Sequence, residues 1–230
     1  MKRYNISFVI PMFNESVKIE ETIRRISVLA ADICADYELV IVDDASTDGS
    51  ADVVSRLAVC DQHIKLIRLA VNSKFGGALN RGLRSVEKDI IVYTDSDLPA
   101  KEEDIELALE YLDGADVVTA YSLAMKDPKI KRVIMSKVYN FLVRTFFGLN
   151  IRDINSGLKI YKKEVLSGLD LKSRSPFIDV EIFAEVVKRG FKIAQVGMLF
   201  ELNNKSHSAI SKPSVVARTF RDMFAYRFLR

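Results

Sequence analysis

A chain of 230 residues that is 49% hydrophobic and 28% charged has too much apolar material for a disordered protein and enough for one sizeable core. Its two cysteines, Cys34 and Cys60, lie in helix-like stretches without CxxC spacing, which excludes a disulfide framework and a zinc site and fits a reducing, cytoplasmic setting. The near-balanced net charge of +3 gives no reason to expect a nucleic acid partner.

The N-terminal "MKRYNISFVIP" has basic residues but only a short apolar run before Pro11, so it reads as a first strand and not as a signal peptide. Short β-branched runs follow in alternation with helical patterns. The runs are "ISFVIP", "YELVIVDD", "IKLIRLA", "DIIVYTDSD" and "ADVVTAY"; between them lie "SVKIEETIRRISVLA", "SADVVSRLA", "GGALNRGLRSV" and "EEDIELALEYL". Such alternation is the signature of βαβ units, and uniformly apolar strands such as "LVIV" are expected in a mainly parallel sheet covered on both faces. Ligands of these sheets sit outside the carboxyl ends of the strands. That rule puts Pro11 to Glu15, Asp43 to Asp48, Asn72 to Gly77 and Asp95 to Asp97 along one edge.

After Tyr121 the alternation stops. An amphipathic helix is expected over about Lys129 to Phe147, then "DINSGLKIYKKEVL", a helix near Phe177 to Arg189, a strand "FKIAQVGMLF" and a last helix from about Ser214. No linker or repeat divides the chain, so residues 1–230 are expected to form a single α/β domain, 1–121 being one half and 122–230 a cap on the same core. Lys126, Lys129, Lys131, Arg132, Lys137 and Arg144 face a single acid, Asp127, between positions 126 and 144. The stretch from Lys205 repeats this excess, so the second half is suited to a polyanion or an anionic surface. No uninterrupted apolar stretch approaches the roughly 18 residues that span a bilayer, so a soluble or peripheral protein is expected.

Two acidic constellations carry chemistry. Asp43 and Asp44 end the second strand and run into "ASTDG", a tight turn whose hydroxyls are expected to cap the next helix. Asp95 and Asp97 flank one residue at the end of the fourth strand, so the chain can bend and aim both carboxylates at one cation. Hard oxygen donors with so few protein ligands suit Mg2+ or Mn2+ that keeps waters and also binds substrate phosphates.

In order, "VIPMFNE", "VDDASTDGS", "NSKFGGALNRG", "TDSDLP", "DINSGLKIY" and "FIDVEIF" resemble family 2 glycosyltransferases of the GT-A fold, above all the polyprenyl-phosphate sugar transferases of the dolichol-phosphate mannose synthase group. The resemblance extends from about Ile6 to about Phe200. It implies that Pro11, Asn14, Glu15, Asp43 and Asp44, with Lys74, Gly76 and Gly77, hold a nucleoside diphosphate sugar, a GDP- or UDP-hexose. Asp95 and Asp97 would carry the metal that bridges the diphosphate, with Asp97 counted among the catalytic residues. Arg132, Ser136 and Asn140 in "RVIMSKVYN" match the family's four-residue spacing, which keeps them on one side of a helix. Arg132 would hold the acceptor's phosphate, helped by Lys131 and Lys212. Asp153, Ser156 and Gly157 fit the loop beside the sugar, and of Asp179 and Glu181 the latter is preferred as the family's acid on the following helix.

The chain departs from the family pattern where Pro99 replaces a Gln, where Tyr121 and Ser122 replace a basic residue after the fifth strand, and where "NSKFGG" displaces Lys74. The common basic ending survives only as "KSHSAISK", with Lys205, His207, Ser211 and Lys212. The activity implied is inverting, metal-dependent transfer of a hexose such as mannose or glucose to a polyprenyl (dolichyl) phosphate, at the cytoplasmic face of a membrane with which the protein associates peripherally. A transferase acting on a saccharide hydroxyl and a non-catalytic nucleotide-sugar-binding module are the alternatives. The last helix, about 214–229, puts Val216, Phe220, Met223, Phe224 and Phe228 on one face, which would lie in a membrane interface or pack on the core or a homodimer partner. Ile134, Val138, Phe141 and Leu142 carry the same choice.

Overall fold

The computed structural model describes residues 4–123, 130–200 and 213–228; the side chains of residues 130–136 and 213 are not among the described parts. In chain order the elements are β1 (Tyr4–Met12), α1 (Ile19–Ile33), β2 (Cys34–Asp43), α2 (Ser50–Cys60), β3 (Ile64–Arg68), α3 (Lys74–Leu83), β4 (Ile90–Thr94), α4 (Glu102–Glu110), β5 (Val117–Ser122), α5 (Ile130–Phe147), β6 (Leu158–Lys162), α6 (Lys163–Leu166), α7 (Ile178–Lys188), β7 (Ile193–Met198) and α8 (Pro213–Phe228). Cys34 opens β2 instead of ending a helix, and α3 starts at Lys74, two residues before the expected Gly76. Cys34 is buried and Cys60 exposed, and both are free thiols.

One seven-stranded sheet, ordered β3-β2-β1-β4-β6-β5-β7, joins strands from both halves of the chain. β1 to β4 are mutually parallel, as the alternation predicts. The apolar runs "FVI" of β1, "LVIV" of β2 and "IIVY" of β4 follow from two covered faces, while β3, at the sheet edge with Lys65 and Arg68, is only partly buried. Ile6, Phe8 and Ile10 pack with Ile19, Ile23 and Ile26 of α1 and Ile105 of α4. Val9, Val40 and Val42 pack on the other face with Leu79 of α3 and Ile178 and Ile182 of α7.

β6 runs against its neighbours, antiparallel to β4 and to β5, with Leu158 opposite Thr94. Its first residue therefore sits beside the last residue of β4. The segment leading into β6 thus reaches the same edge as the segments leaving β1, β2 and β4. β5 and β7 pair in parallel beyond it.

α8 lies on the face made by α7. Thr219 and Met223 are buried, and the Tyr226 hydroxyl donates to Glu185 Oε1 at 2.8 Å. Phe224 and Phe228 of the same helix are exposed, their rings stacked 5.9 Å apart. On α5, Val143 is buried while Val138 and Phe141 face solvent. Of the three readings of these apolar faces, core packing holds for Met223 and fails for Val138, Phe141, Phe224 and Phe228; Ile134 lies outside the described side chains. Among the described residues no helix is long and apolar enough to cross a membrane.

Candidate active site

The loops after β1, β2 and β3 are knitted to one another on the edge the strands define. Asn14 N–H donates to Ser46 Oγ at 2.9 Å, Thr47 N–H donates to Asn14 Oδ1 at 2.9 Å, and Glu15 N–H donates to Ser50 Oγ at 2.8 Å. The Ser46 hydroxyl of "ASTDG" thus bridges to the β1–α1 loop instead of capping α2, whose first amide, Ser50 N–H, is met by Asp48 Oδ1 at 3.0 Å. Asp43 Oδ1 accepts Ser46 N–H at 3.1 Å, and Asp44 Oδ1 accepts both the amide and the hydroxyl of Ser73. The adjacent buried acids therefore divide their tasks. Asp44 organises the loop that carries Lys74, Gly76 and Gly77, while nothing else among the described residues hydrogen-bonds the Asp43 carboxylate.

Among the described residues the non-glycine positions with positive φ are Asn14 (57°), Ala45 (60°), Lys74 (68°) and Leu98 (39°). Each lies just beyond the carboxyl end of one of the four parallel strands. Backbone strain of this kind costs on the order of 1 kcal/mol or more per residue and persists where the surroundings enforce it, as at ligand sites. Gly76 is held equally tightly: its amide donates to Arg174 O at 3.1 Å, and a Cβ there would lie 2.5 Å from Ser173 O.

Asp95 and Asp97 follow β4. Burial raises the Asp95 carboxyl above its usual range, the Tyr93 hydroxyl donates to it and lowers it, and the charge of Asp97 raises it again. Asp97 ion-pairs with Lys18 at 3.8 Å. Glu15 joins the same field: burial raises its carboxyl, Lys18 lowers it, and Asp97, Asp48 and Asp95 raise it further. Gly157 closes the cluster from the β6 side. Its carbonyl accepts Asp95 N–H at 3.2 Å, and a Cβ on it would stand 2.6 Å from Asp95 Oδ2. The backbone can approach the carboxylate this closely only because position 157 has no side chain.

Beneath this rim lies a buried pair that sequence reasoning did not find. Lys159 of β6 and Asp179 of α7 are fully withdrawn from solvent with Nζ and Oδ1 3.1 Å apart. Lys159 also donates to Ser156 O at 2.7 Å and sits 4.9 Å from the centre of the Tyr93 ring. Burial pushes the Asp179 carboxyl up to about 6, Lys159 opposes this, and Asp95 and Asp153 add to it. Asp95, Asp153 and Asp179 thus feel one another's charge. Glu181, the acid preferred from the sequence, turns elsewhere: its carboxylate accepts the amides of Lys172 and Ser173 at 3.0–3.1 Å and so supports the loop against which Gly76 rests.

The segment before β6 is fixed from two sides. Gln195 of β7 accepts Arg152 N–H at 2.8 Å and donates to Asn150 O at 2.9 Å, while Asn140 of α5 donates to Arg152 O at 3.3 Å and accepts Ile154 N–H at 3.5 Å. Asp153 is presented between these clamps, and Ser156 is buried. Pro11 stands opposite Val42 at the end of β1, and Lys74 is exposed at the start of α3. Lys131 and Arg132 fall in the first turn of α5, their side chains outside the described set; Lys126, Lys205, His207, Ser211 and Lys212 lie outside the described residues altogether.

Asp95 and Asp97 fit a divalent cation. They are hard oxygen donors, close enough that the charge of Asp97 raises the Asp95 carboxyl, in an acidic cleft that also holds Lys18 and Lys159. Among the described residues no group of three or more His, Cys, Asp or Glu side chains could hold a metal alone. A cation here would complete its shell with substrate oxygens and water.

A sheet of this order with one reversed strand is the GT-A architecture. The chain belongs to glycosyl transferase family 2, whose family model matches residues 7–169. It is 28% identical over 199 residues to the glycosyltransferase AglD of Haloferax volcanii, a match spanning 83% of this chain and 32% of that protein. It is 31% identical over 180 residues to the undecaprenyl-phosphate 4-deoxy-4-formamido-L-arabinose transferase of Shewanella sediminis, covering 76% of this chain and 54% of that one. The chain therefore spans a third to a half of the curated relatives it matches. Among solved structures, glucosyl-3-phosphoglycerate synthase from Mycobacterium tuberculosis, in complex with Mn2+, UDP and glucosyl-3-phosphoglycerate, shares the fold at TM-score 0.72 and 21% identity over 97% of this chain and 80% of that one.

Proposed function

We propose that this chain transfers a hexose, with inversion, from a nucleoside diphosphate sugar to a polyprenyl phosphate. The observation that carries the reading is the convergence on one rim of the Asp95–Asp97 pair, the knitted loops of the donor half, and Asp153 delivered by the reversed strand. Relatives named for undecaprenyl phosphate support the acceptor class.

In this reading Asp43 accepts from the base and Glu15 from the ribose, because ionised carboxylates are strong acceptors only. Asp95 and Asp97 hold Mg2+ or Mn2+, which when bound offsets the charge growing on the departing diphosphate. An acceptor phosphate oxygen forms a bond to the anomeric carbon as the bond from that carbon to the diphosphate oxygen breaks, releasing the nucleoside diphosphate. The attacking oxygen is already anionic near neutral pH, so positioning and charge stabilisation carry the step and no strong base is needed. Arg132 and Lys131 at the start of α5, with Lys212, supply cations for the acceptor. The exposed Phe141, Phe224 and Phe228 would rest in the interface of the membrane that holds the acceptor, on its cytoplasmic side.

One observation favours a second reading. Asp153, carried to the rim by the segment before β6 and near enough for its charge to act on Asp95, would take the proton of a saccharide hydroxyl. Incubation of the full chain with a panel of nucleoside diphosphate sugars, Mg2+ or Mn2+, and either a short polyprenyl phosphate or an oligosaccharide separates the two. Sugar transfer to the lipid phosphate that disappears in Asp97→Ala supports the proposal. Transfer only to the oligosaccharide, or equal turnover by wild type and Asp97→Ala, overturns it.

A further inference from the structure

We propose that Arg152, laid on the ring of Tyr121, is a binding residue for the phosphate of the acceptor. The inference rests on the phosphate-acceptor reading above and adds to it the side chain that grips the phosphate on the β5–β7 side of the cleft. Its guanidinium carbon stands 4.5 Å from the centre of the Tyr121 ring. The ring itself lies over Gly197, where a Cβ would come within 3.1 Å of Tyr121 Cζ, so β7 makes room for it.

Arg152 is ordered without being satisfied. Its amide and carbonyl are held by Gln195 and Asn140, yet the residue is exposed and no carboxylate among the described residues pairs with its guanidinium. The Tyr121 ring takes one side of the guanidinium without supplying a lone-pair acceptor for its N–H donors, which suits them to a planar pair of oxygens. An anion with two adjacent oxygens meets that requirement, and a neutral sugar hydroxyl does not. The next residue is Asp153, whose charge reaches Asp95 and Asp179. A phosphate on Arg152 therefore sits one residue from the acidic cluster at the strand ends. The aromatic ring holds the cation in the absence of ligand without consuming its hydrogen bonds, which an Asp or Glu partner would do.

The test uses the full chain with a divalent metal, its preferred nucleoside diphosphate sugar and a short polyprenyl phosphate. Arg152→Ala is expected to raise the acceptor KM about 10- to 100-fold with little change in donor KM or melting temperature, the loss of a charge-assisted contact. Arg152→Lys recovers part of this, because an ammonium has charge but no fork, and Tyr121→Leu raises the acceptor KM less than Arg152→Ala does. An acceptor KM for Arg152→Ala within about twofold of wild type overturns the assignment, as does a joint fall in kcat, donor affinity and melting temperature with the acceptor KM unmoved. If the wild type transfers nothing to the polyprenyl phosphate, the acceptor reading fails on its own. Titration with inorganic phosphate then decides for Arg152: weaker binding by Arg152→Ala upholds the site, and equal binding removes it.

Discussion

Lys159 Nζ lies 3.1 Å from Asp179 Oδ1 with neither side chain open to solvent. One ammonium thus neutralises the floor of a cleft whose rim carries Asp95, Asp97 and Asp153. Lys159→Met would leave Asp179 buried and unpaired, so we expect a loss of about 3–5 kcal/mol in denaturant unfolding, and Lys159→Met with Asp179→Asn should recover most of it. A single-variant loss below about 1 kcal/mol would mean that the pair does not hold the cleft floor together.

The pH dependence of stability has opposite signs at two carboxyls. Asp179 titrates near 3.8 when unfolded and at about 6 when folded. Its contribution to stability is therefore full at pH below 3.8 and lost as pH rises through about 6. Asp48 behaves conversely. Burial raises its carboxyl, but hydrogen bonds from Ser50 and Ser16 outweigh this and hold it at about 2, so its contribution is present above 3.8 and lost as pH falls toward 2. Melting curves of the metal-free protein across this range should lose the first slope in Asp179→Asn and the second in Asp48→Ala. Unchanged slopes in both variants would show that these carboxyls are not the groups responsible.

Two glycines should respond differently to one added methyl group. A Cβ on Gly157 meets Asp95 Oδ2 at 2.6 Å and Pro99 Cγ at 2.9 Å, whereas one on Gly114 meets nothing within 4 Å. Gly157→Ala is expected to weaken Mn2+ binding about tenfold by displacing Asp95, with a smaller effect on unfolding; Gly114→Ala should leave both nearly unchanged. Isothermal titration with Mn2+ reads the difference, and equal affinities for the two variants would remove Asp95 from the cation site.

Phe224 and Phe228 should matter to a lipid surface and not to the fold. Replacing both with Ser is expected to shift the melting temperature by only a degree or two while reducing cosedimentation with anionic phospholipid vesicles several-fold. A change in oligomeric mass with vesicle binding unaltered would assign that face to a second copy of the chain.

The parallel half of the sheet was legible because β1, β2 and β4 carry apolar runs covered on both faces, and β2 and β4 lead straight into acids. The reversed strand was not. "LKIYK" alternates as a half-exposed strand does, yet Lys159 is fully buried, its charge met by Asp179 and a second donor by the Ser156 carbonyl. Asp179 and Glu181 lie two residues apart on α7, so they occupy different sides of the helix, and sequence alone leaves its phase undetermined. The structure directs Asp179 toward Lys159 and Glu181 toward the backbone of Lys172 and Ser173. Arg152 escaped notice because its partner is an aromatic ring thirty-one positions earlier, on β5, and no local spacing announces such a contact.

The single strand that runs backwards has a consequence for how such proteins diversify. Residues 150–157 arrive at the common rim from the opposite direction to the donor loops and take their support from Asn140 and Gln195, outside the knitted segments of β1 to β3. In the proposed reading the Arg152 end of that stretch is free to vary with the recipient, whereas Gly157 at its other end stays fastened to Asp95 and so to the donor side.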